Sequence, residues 1–173
     1  MRVLPKRLGR VGLRLNLDKT RLVACGKRHA WHAFRTGQRP FTVDSLGCTH
    51  YWGRSRTGKV RMKRKTSKKR LRRALVALNG WLRQERSART LPDLWQAIAL
   101  KMRGHFNYVG VTENSRALYQ FQEGVRKLLC KWLNRRSQRS SFTWESFRRY
   151  YVRHPLPRPR RLVQLNPVWG RAV

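Results

Sequence analysis

From Ser45 to Gln84 the chain carries no carboxylate, and within that window twelve of the twenty residues from Arg54 to Arg73 are Lys or Arg. Cations this dense repel one another in any compact state, so they must line solvent-facing strips and leave each element a single apolar face to bury. The bias holds for the whole chain, which has 42 Lys and Arg, 7 Asp and Glu, and a net charge of +35 over 173 residues. A hydrophobic fraction of 40%, with seven Trp, five Tyr and six Phe, is enough to build a core and excludes a wholly disordered basic tail. Of the 42 cations 31 are Arg, whose planar fork bonds phosphate through two donors and stacks on rings. The composition therefore points to a polyanionic partner, with nucleic acid ahead of an anionic membrane surface.

No apolar run approaches the roughly 20 residues that span a bilayer. The segment from Met1 to Arg14 is basic and acid-free but has no apolar stretch and no small-residue cleavage site, so it is not a secretory signal. Cys25, Cys48 and Cys130 are odd in number and widely spaced, which argues for free thiols in a reducing compartment. A cytoplasmic protein is expected.

The chain changes character near Thr66, and an α+β fold follows from the change. Before it, short alternating runs read as strands at Leu13 to Asn16, Arg21 to Ala24, Phe41 to Trp52 and Lys59 to Lys63, with a hairpin loop from Arg54 to Gly58. Lys27 to Pro40 reads as a loop because of Gly37 and Pro40. After it, Leu71, Ala74, Leu75, Leu78, Trp81 and Leu82 share one helical face, with Thr66 or Ser67 as the cap. A second helix starts at Pro92 and carries Leu94, Ile98 and Met102 toward Gly104. A third begins near Asn114 or Ser115 and places Leu118, Phe121, Val125, Leu129 and Trp132 on one stripe, losing its pattern near Arg139. Thr143 caps a short fourth helix with Trp144, Phe147 and Tyr151, stopped by the prolines from His154 to Pro159. Three regions result: residues 1–65 with short strands and a hairpin, a helical bundle of three to four helices over 66–154, and a Pro/Arg-rich tail over 155–173.

The candidate phosphate contacts come from this map. Lys59, Arg61 and Lys63 alternate with Val60 and Met62 and would share one face of a strand. Arg64 and Lys65 lead into the first long helix, where Lys68, Lys69, Arg72 and Arg73 lie opposite or beside the leucine stripe. Arg103, His105, Tyr108, Asn114 and Arg116 gather around the turn between the second and third helices, where rings beside cations suit unpaired bases. Trp81, Phe121 and Trp132 fall at helical spacing and read as core. Cys25, His29 and His32 are a close nitrogen and sulfur cluster, but no second cluster completes four ligands, so no metal site is expected. The carboxylates are isolated, and no phosphate-binding glycine loop is present.

Several strings together resemble one family. Gly12-Leu13-Arg14-Leu15-Asn16-Leu17-Asp18-Lys19-Thr20 is similar to a segment near the end of the palm of group II intron reverse transcriptase/maturases, and Asp44-Ser45-Leu46-Gly47-Cys48-Thr49-His50-Tyr51-Trp52-Gly53 is similar to the stretch that follows it there. Lys63 to Leu71, then Leu100 to Thr112 with Arg103-Gly104-His105-Phe106-Asn107-Tyr108, then Asn114-Ser115-Arg116, resemble the maturase-specific thumb, or X domain. Trp132-Leu133-Asn134-Arg135-Arg136-Ser137-Gln138-Arg139 and the Pro-rich ending resemble bacterial members. The resemblance covers nearly the whole chain in family order. It implies that residues to about 65 are the last palm strands, with Leu46, Gly47, Tyr51 and Trp52 in a primer-grip-like hairpin, and that the helices grip intron RNA, with Arg135, Arg136 and Arg139 added to the RNA contacts.

The departures shape the expected function. The family's Tyr-Ala-Asp-Asp motif, whose aspartates bind Mg²⁺, does not occur in this sequence, so the resemblance implies no cofactor held by this chain and no catalysis by it alone. Ser45 and Cys48 stand where the family has aromatic residues, and Leu17 where it has proline. The chain looks like the C-terminal part of such an enzyme. The leading expectation is an RNA-binding maturase module whose partner is group II intron RNA. The alternatives are the thumb and primer grip of a split reverse transcriptase, holding primer and template for a separate catalytic chain, a non-functional remnant, and a basic protein that compacts DNA or coats ribosomal RNA. None of them places the chain in a membrane.

Overall fold

A computed structural model describes residues 3–18, 20, 26–55, 57–136 and 142–160. The α+β expectation holds: a three-stranded antiparallel sheet is followed by a helical bundle. The chain forms two compact units, one of residues 1–43 with 51–62, the other of residues 44–50 with 63–173.

The first unit departs most from the sequence expectations. Helix α1 spans Val3–Gly9 and buries none of its residues. Leu13 to Asn16 forms no strand, and the strand expected over Arg21 to Ala24 lies outside the described residues. Where a loop was expected, Lys27–Arg35 forms helix α2, with Ala30 buried on its inner face. Gly37, at φ +71°, and Pro40 punctuate the chain only after that helix has ended, and Lys27 to Arg35 itself holds no breaker. The Arg54 guanidinium lies 5.4 Å from the centre of the Phe34 ring. Val60 is buried, as the alternation of Lys59 to Lys63 requires of one face, whereas Met62 keeps 38% of its surface exposed.

The run from Phe41 to Trp52 is not one strand. It splits into β1 (Val43–Ser45) and β2 (Cys48–Arg54), which pairs with β3 (Val60–Thr66) in the order β1-β2-β3. Leu46 and Gly47 make the break, both in the left-handed region at φ +51° and +77°. Two such residues form the tight turn whose twist matches antiparallel strands, and Leu is a costly choice for the first of them.

The second unit is built on three long helices. Ser67 caps α3 (Lys68–Ala88), its Oγ accepting from the Arg70 N–H at 3.3 Å. Thr90 caps α4 (Leu91–Val109), accepting from the Asp93 N–H, while Asp93 accepts from the Thr90 hydroxyl in return. The helix runs past Gly104 because Phe106 and Val109 continue the buried stripe of Leu94, Ile98 and Met102. A single 3₁₀ turn, Thr112–Asn114, then leads into α5 (Ser115–Asn134). The short α6 (Trp144–Arg153) is capped by Thr143, as its sequence predicts, and sets Phe147 into the core.

Leu82, Ile98, Val125 and Leu129 at the centre of the bundle have no exposed surface. α3 and α5 approach closely at Gly124, where an added Cβ would stand 2.7 Å from a methyl of Leu75. Trp132 bridges the same pair, its Nε1–H donating to Asn79 Oδ1 at 2.9 Å. Trp132 and Phe121 are buried and Trp81 packs against the core, so the apolar reading of these rings holds. The tail expected from residue 155 begins packed: Leu156 is buried, and the Trp95 indole donates to the carbonyl of His154 at 2.9 Å.

Asn114 ties sheet to bundle within this unit. Its Oδ1 accepts from the Thr66 N–H at 2.7 Å, and its Nδ2 donates to the Thr66 hydroxyl at 2.7 Å and the Val109 carbonyl at 2.8 Å. Replacing Asn114 with Ala leaves the buried Thr66 N–H without its acceptor, while the Val109 carbonyl keeps the Val111 N–H at 2.9 Å. It is expected to cost about 2 kcal/mol, read as a lower urea midpoint with an unchanged slope.

Candidate nucleic-acid interface

α3 breaks a rule of helix electrostatics at its start. The positive end of a helix favours carboxylates, yet its first residues are Lys68, Lys69 and Arg70 and its first turn has no acid. At 100° per residue Lys68, Arg72, Lys69 and Arg73 spread over an arc of about 140°, with Lys69 and Arg73 opposite the side that buries Leu78 and Leu82 and Lys68 and Arg72 flanking it. All four are exposed. Just before them on β3, Lys63 and Arg64 are half-buried and Lys65 is exposed. The face can therefore bind anions along the helix and at its free N–H groups.

The other candidates divide by environment. Arg103 and Arg116 are exposed on α4 and α5. Tyr108 is exposed and holds the Arg70 guanidinium 4.4 Å from its ring centre. Asn114 is placed in the interior, its side chain spent on the joint with Thr66, so it presents nothing to a ligand. His105 stacks on Phe121 with centroids 3.7 Å apart. Burial, with a smaller push from the Arg70 charge, lowers its pKa to about 4, so it is neutral at physiological pH and supplies no cation there.

Lys59 and Arg61 are exposed in the first unit, and Tyr51 and Trp52 are half-buried there. Leu46 and Gly47 belong to the second unit. Leu46 is 87% exposed, while Gly47 leaves room for Arg70, whose guanidinium would meet an added Cβ at once. The Gly47 carbonyl accepts from the Ser67 N–H at 3.1 Å, seating the turn beside the start of α3.

A second cationic cluster forms around two tryptophans, and the sequence pointed to only some of its members. Arg86, Lys131 and Arg135 approach the Trp132 ring at 4.7, 5.1 and 5.7 Å, and Lys101 and Arg89 approach Trp81 at 4.6 and 6.0 Å. Arg136 donates to the Arg89 carbonyl at 2.6 Å, which seats it against the end of α3. These cations lie on rings that pack into the core, a relation between helices that no local spacing reveals. Arg135 and Arg136 were expected RNA contacts; Arg139 lies outside the described residues.

Three of the carboxylates are engaged with near neighbours in sequence: Glu85 with Arg89, Glu123 with Arg126, Asp44 with the Thr49 hydroxyl. Among the described residues no three His, Cys, Asp or Glu side chains gather to hold a metal, and Cys25 lies outside them. Burial raises the Cys130 thiol pKa, which keeps it protonated and unreactive. No described helix is long and apolar enough to cross a membrane.

Two outcomes are expected. The unfolded chain protonates His105 near pH 6.5 and the folded chain only near 4, so the unfolded state binds more protons between them and stability falls as pH falls through that window. His105→Phe keeps the ring contact and removes the proton; the part of the acid loss that disappears in urea titrations at pH 7 and 4 is expected to be on the order of 1 kcal/mol, allowing for solvent screening. Leu46→Asn, better suited to a left-handed turn position, is expected to raise stability by about 0.5 kcal/mol in the same assay.

Comparison with protein-family models, with curated proteins and with solved structures finds no match to this chain.

Proposed function

We propose that this chain is an RNA-binding module of the maturase type, which grips intron RNA and performs no catalysis by itself. The observation that carries the proposal is the start of α3. Lys68, Lys69, Arg72 and Arg73 stand exposed at the positive end of a capped helix whose first turn holds no acid. Folding alone would place carboxylates there, so the arrangement costs stability in the free protein and is relieved by a bound phosphate backbone. The resemblance of Lys63 to Leu71, Leu100 to Thr112 and Asn114 to Arg116 to the maturase thumb supports RNA as the polyanion and a folded intron as its source. Cys48 and Cys130 are free thiols, which suits action in the cytoplasm.

The mechanism follows from the charge. RNA neutralises the cations of α3 and releases its condensed counterions, so affinity falls with salt in proportion to the phosphates engaged. Specificity then needs shape and exposed bases, because side chains do not enter the narrow major groove of an RNA helix.

The test is filter binding to a folded group II intron RNA, with unrelated duplex RNA and duplex DNA of equal length, across a salt series. Preference for the intron RNA that survives near-physiological salt is expected. Equal binding that collapses with salt would reduce the function to charge. Changing Lys68, Lys69, Arg72 and Arg73 together to Gln is expected to lower the slope of log affinity against log salt by about 3. An unchanged slope would remove α3 from the interface.

A further inference from the structure

Beside α4, residues from His154 to Arg160 form one wall of a groove of about 730 Å³. That size falls in the range of about 300–1,000 Å³ in which proteins enclose small organic groups. Its lining has three guanidinium groups, from Arg103, Arg158 and Arg160, and no carboxylate. Gln96 and Asn107 add exposed amides. Tyr150 and His154 supply aromatic surface, with ring centres 4.5 Å apart.

The wall is held in place before any ligand arrives. The Trp95 indole donates to the His154 carbonyl at 2.9 Å, the His154 N–H donates to the Tyr150 carbonyl at 2.9 Å, and Leu156 is buried in the core. Pro155 and Pro157 fix their own backbone angles, so little entropy remains to be lost on binding. Beneath, Trp95 meets Tyr150 edge to face at 5.0 Å, which sets the tyrosine ring against a rigid floor.

We propose that this groove binds an unpaired stretch of RNA, with Arg103, Arg158 and Arg160 on its phosphates and Tyr150 and His154 against its bases. The inference rests on the RNA-binding function proposed above and adds a second site to the α3 face. Guanidinium groups for phosphates, rings for base faces and amides for base edges are the set by which proteins hold single strands. A base inside a duplex is already stacked and paired and cannot enter such a groove.

The experiment uses the full chain and two probes, an oligouridine of about twelve nucleotides and an RNA duplex of similar length, both read by fluorescence anisotropy at salt of about 0.15 M. R103Q/R158Q/R160Q is compared with K68Q/K69Q/R72Q, which removes equal charge from α3. The groove variant is expected to weaken oligouridine binding by about tenfold or more and to lower its salt slope by about 2, with a smaller effect on the duplex. The α3 variant is expected to show the reverse preference. A groove variant that affects both probes equally, or neither, overturns the proposal and leaves the RNA-binding function standing. So does a wild-type protein that binds the duplex but not oligouridine. A wild-type protein that binds neither RNA at this salt overturns both. Equal affinity for oligodeoxythymidine overturns the assignment to RNA. Photo-crosslinks from 5-iodouridine that map to Tyr150 or His154 support the groove, and crosslinks confined to α3 count against it.

Discussion

The buried amide of Asn114 is the interaction on which the second unit depends. β3 runs into α3, and α4 is joined to α5 by a short 3₁₀ turn, so both junctions carry backbone groups outside the regular ladders. One side chain closes them together, bonding the Thr66 backbone N–H, the Thr66 hydroxyl and the Val109 carbonyl. An apolar residue there would fill space but leave the Thr66 N–H without its acceptor. With the joint closed, Ser67 is positioned to cap α3, and the Gly47 carbonyl receives the Ser67 N–H. The direction in which α3 leaves the sheet, and with it the placement of its cations, follows from that arrangement.

The bundle then spends its apolar residues on one side of each helix and leaves the other to charge. α3 shows the tension most plainly. Its apolar face packs on α5 closely enough to need Gly124, while its outer face opens with cations that the helix dipole disfavours. Cation–ring contacts soften the repulsion elsewhere, as at Trp132 and Trp81, by placing guanidinium and ammonium groups over negative ring faces. α3 and the groove beside α4 are two kinds of surface within one unit, an exposed cationic helix side and a groove lined by cations and rings.

Much of the helical part was legible from residue spacing. The stripe of Leu118, Phe121, Val125, Leu129 and Trp132 marks α5, and Thr143, Ser67 and Pro92 mark helix starts that the structure keeps, because capping and periodicity are local properties. The first unit was less legible. Lys27 to Arg35 reads as a loop if Gly37 and Pro40 are weighed first, and Leu46 does not look like a left-handed turn residue, so the break between β1 and β2 was hidden. Asn114 resembled an exposed polar contact because one sequence cannot say that Thr66, 48 positions away, awaits its amide.

The sequence by itself determined the amphipathic faces of α3, α4 and α5 and the excess of cations, since 42 basic residues cannot be neutralised by seven acidic ones whatever the fold. Only the tertiary structure decided which of the candidates face outward. Burial removed Asn114 from the surface and the charge from His105, and packing set cations against Trp81 and Trp132. It also brought Arg158 and Arg160 to the same groove as Arg103, more than fifty residues earlier in the chain. Exposure and proximity between distant positions arise from packing, and packing is a property of the folded chain rather than of any local stretch of it.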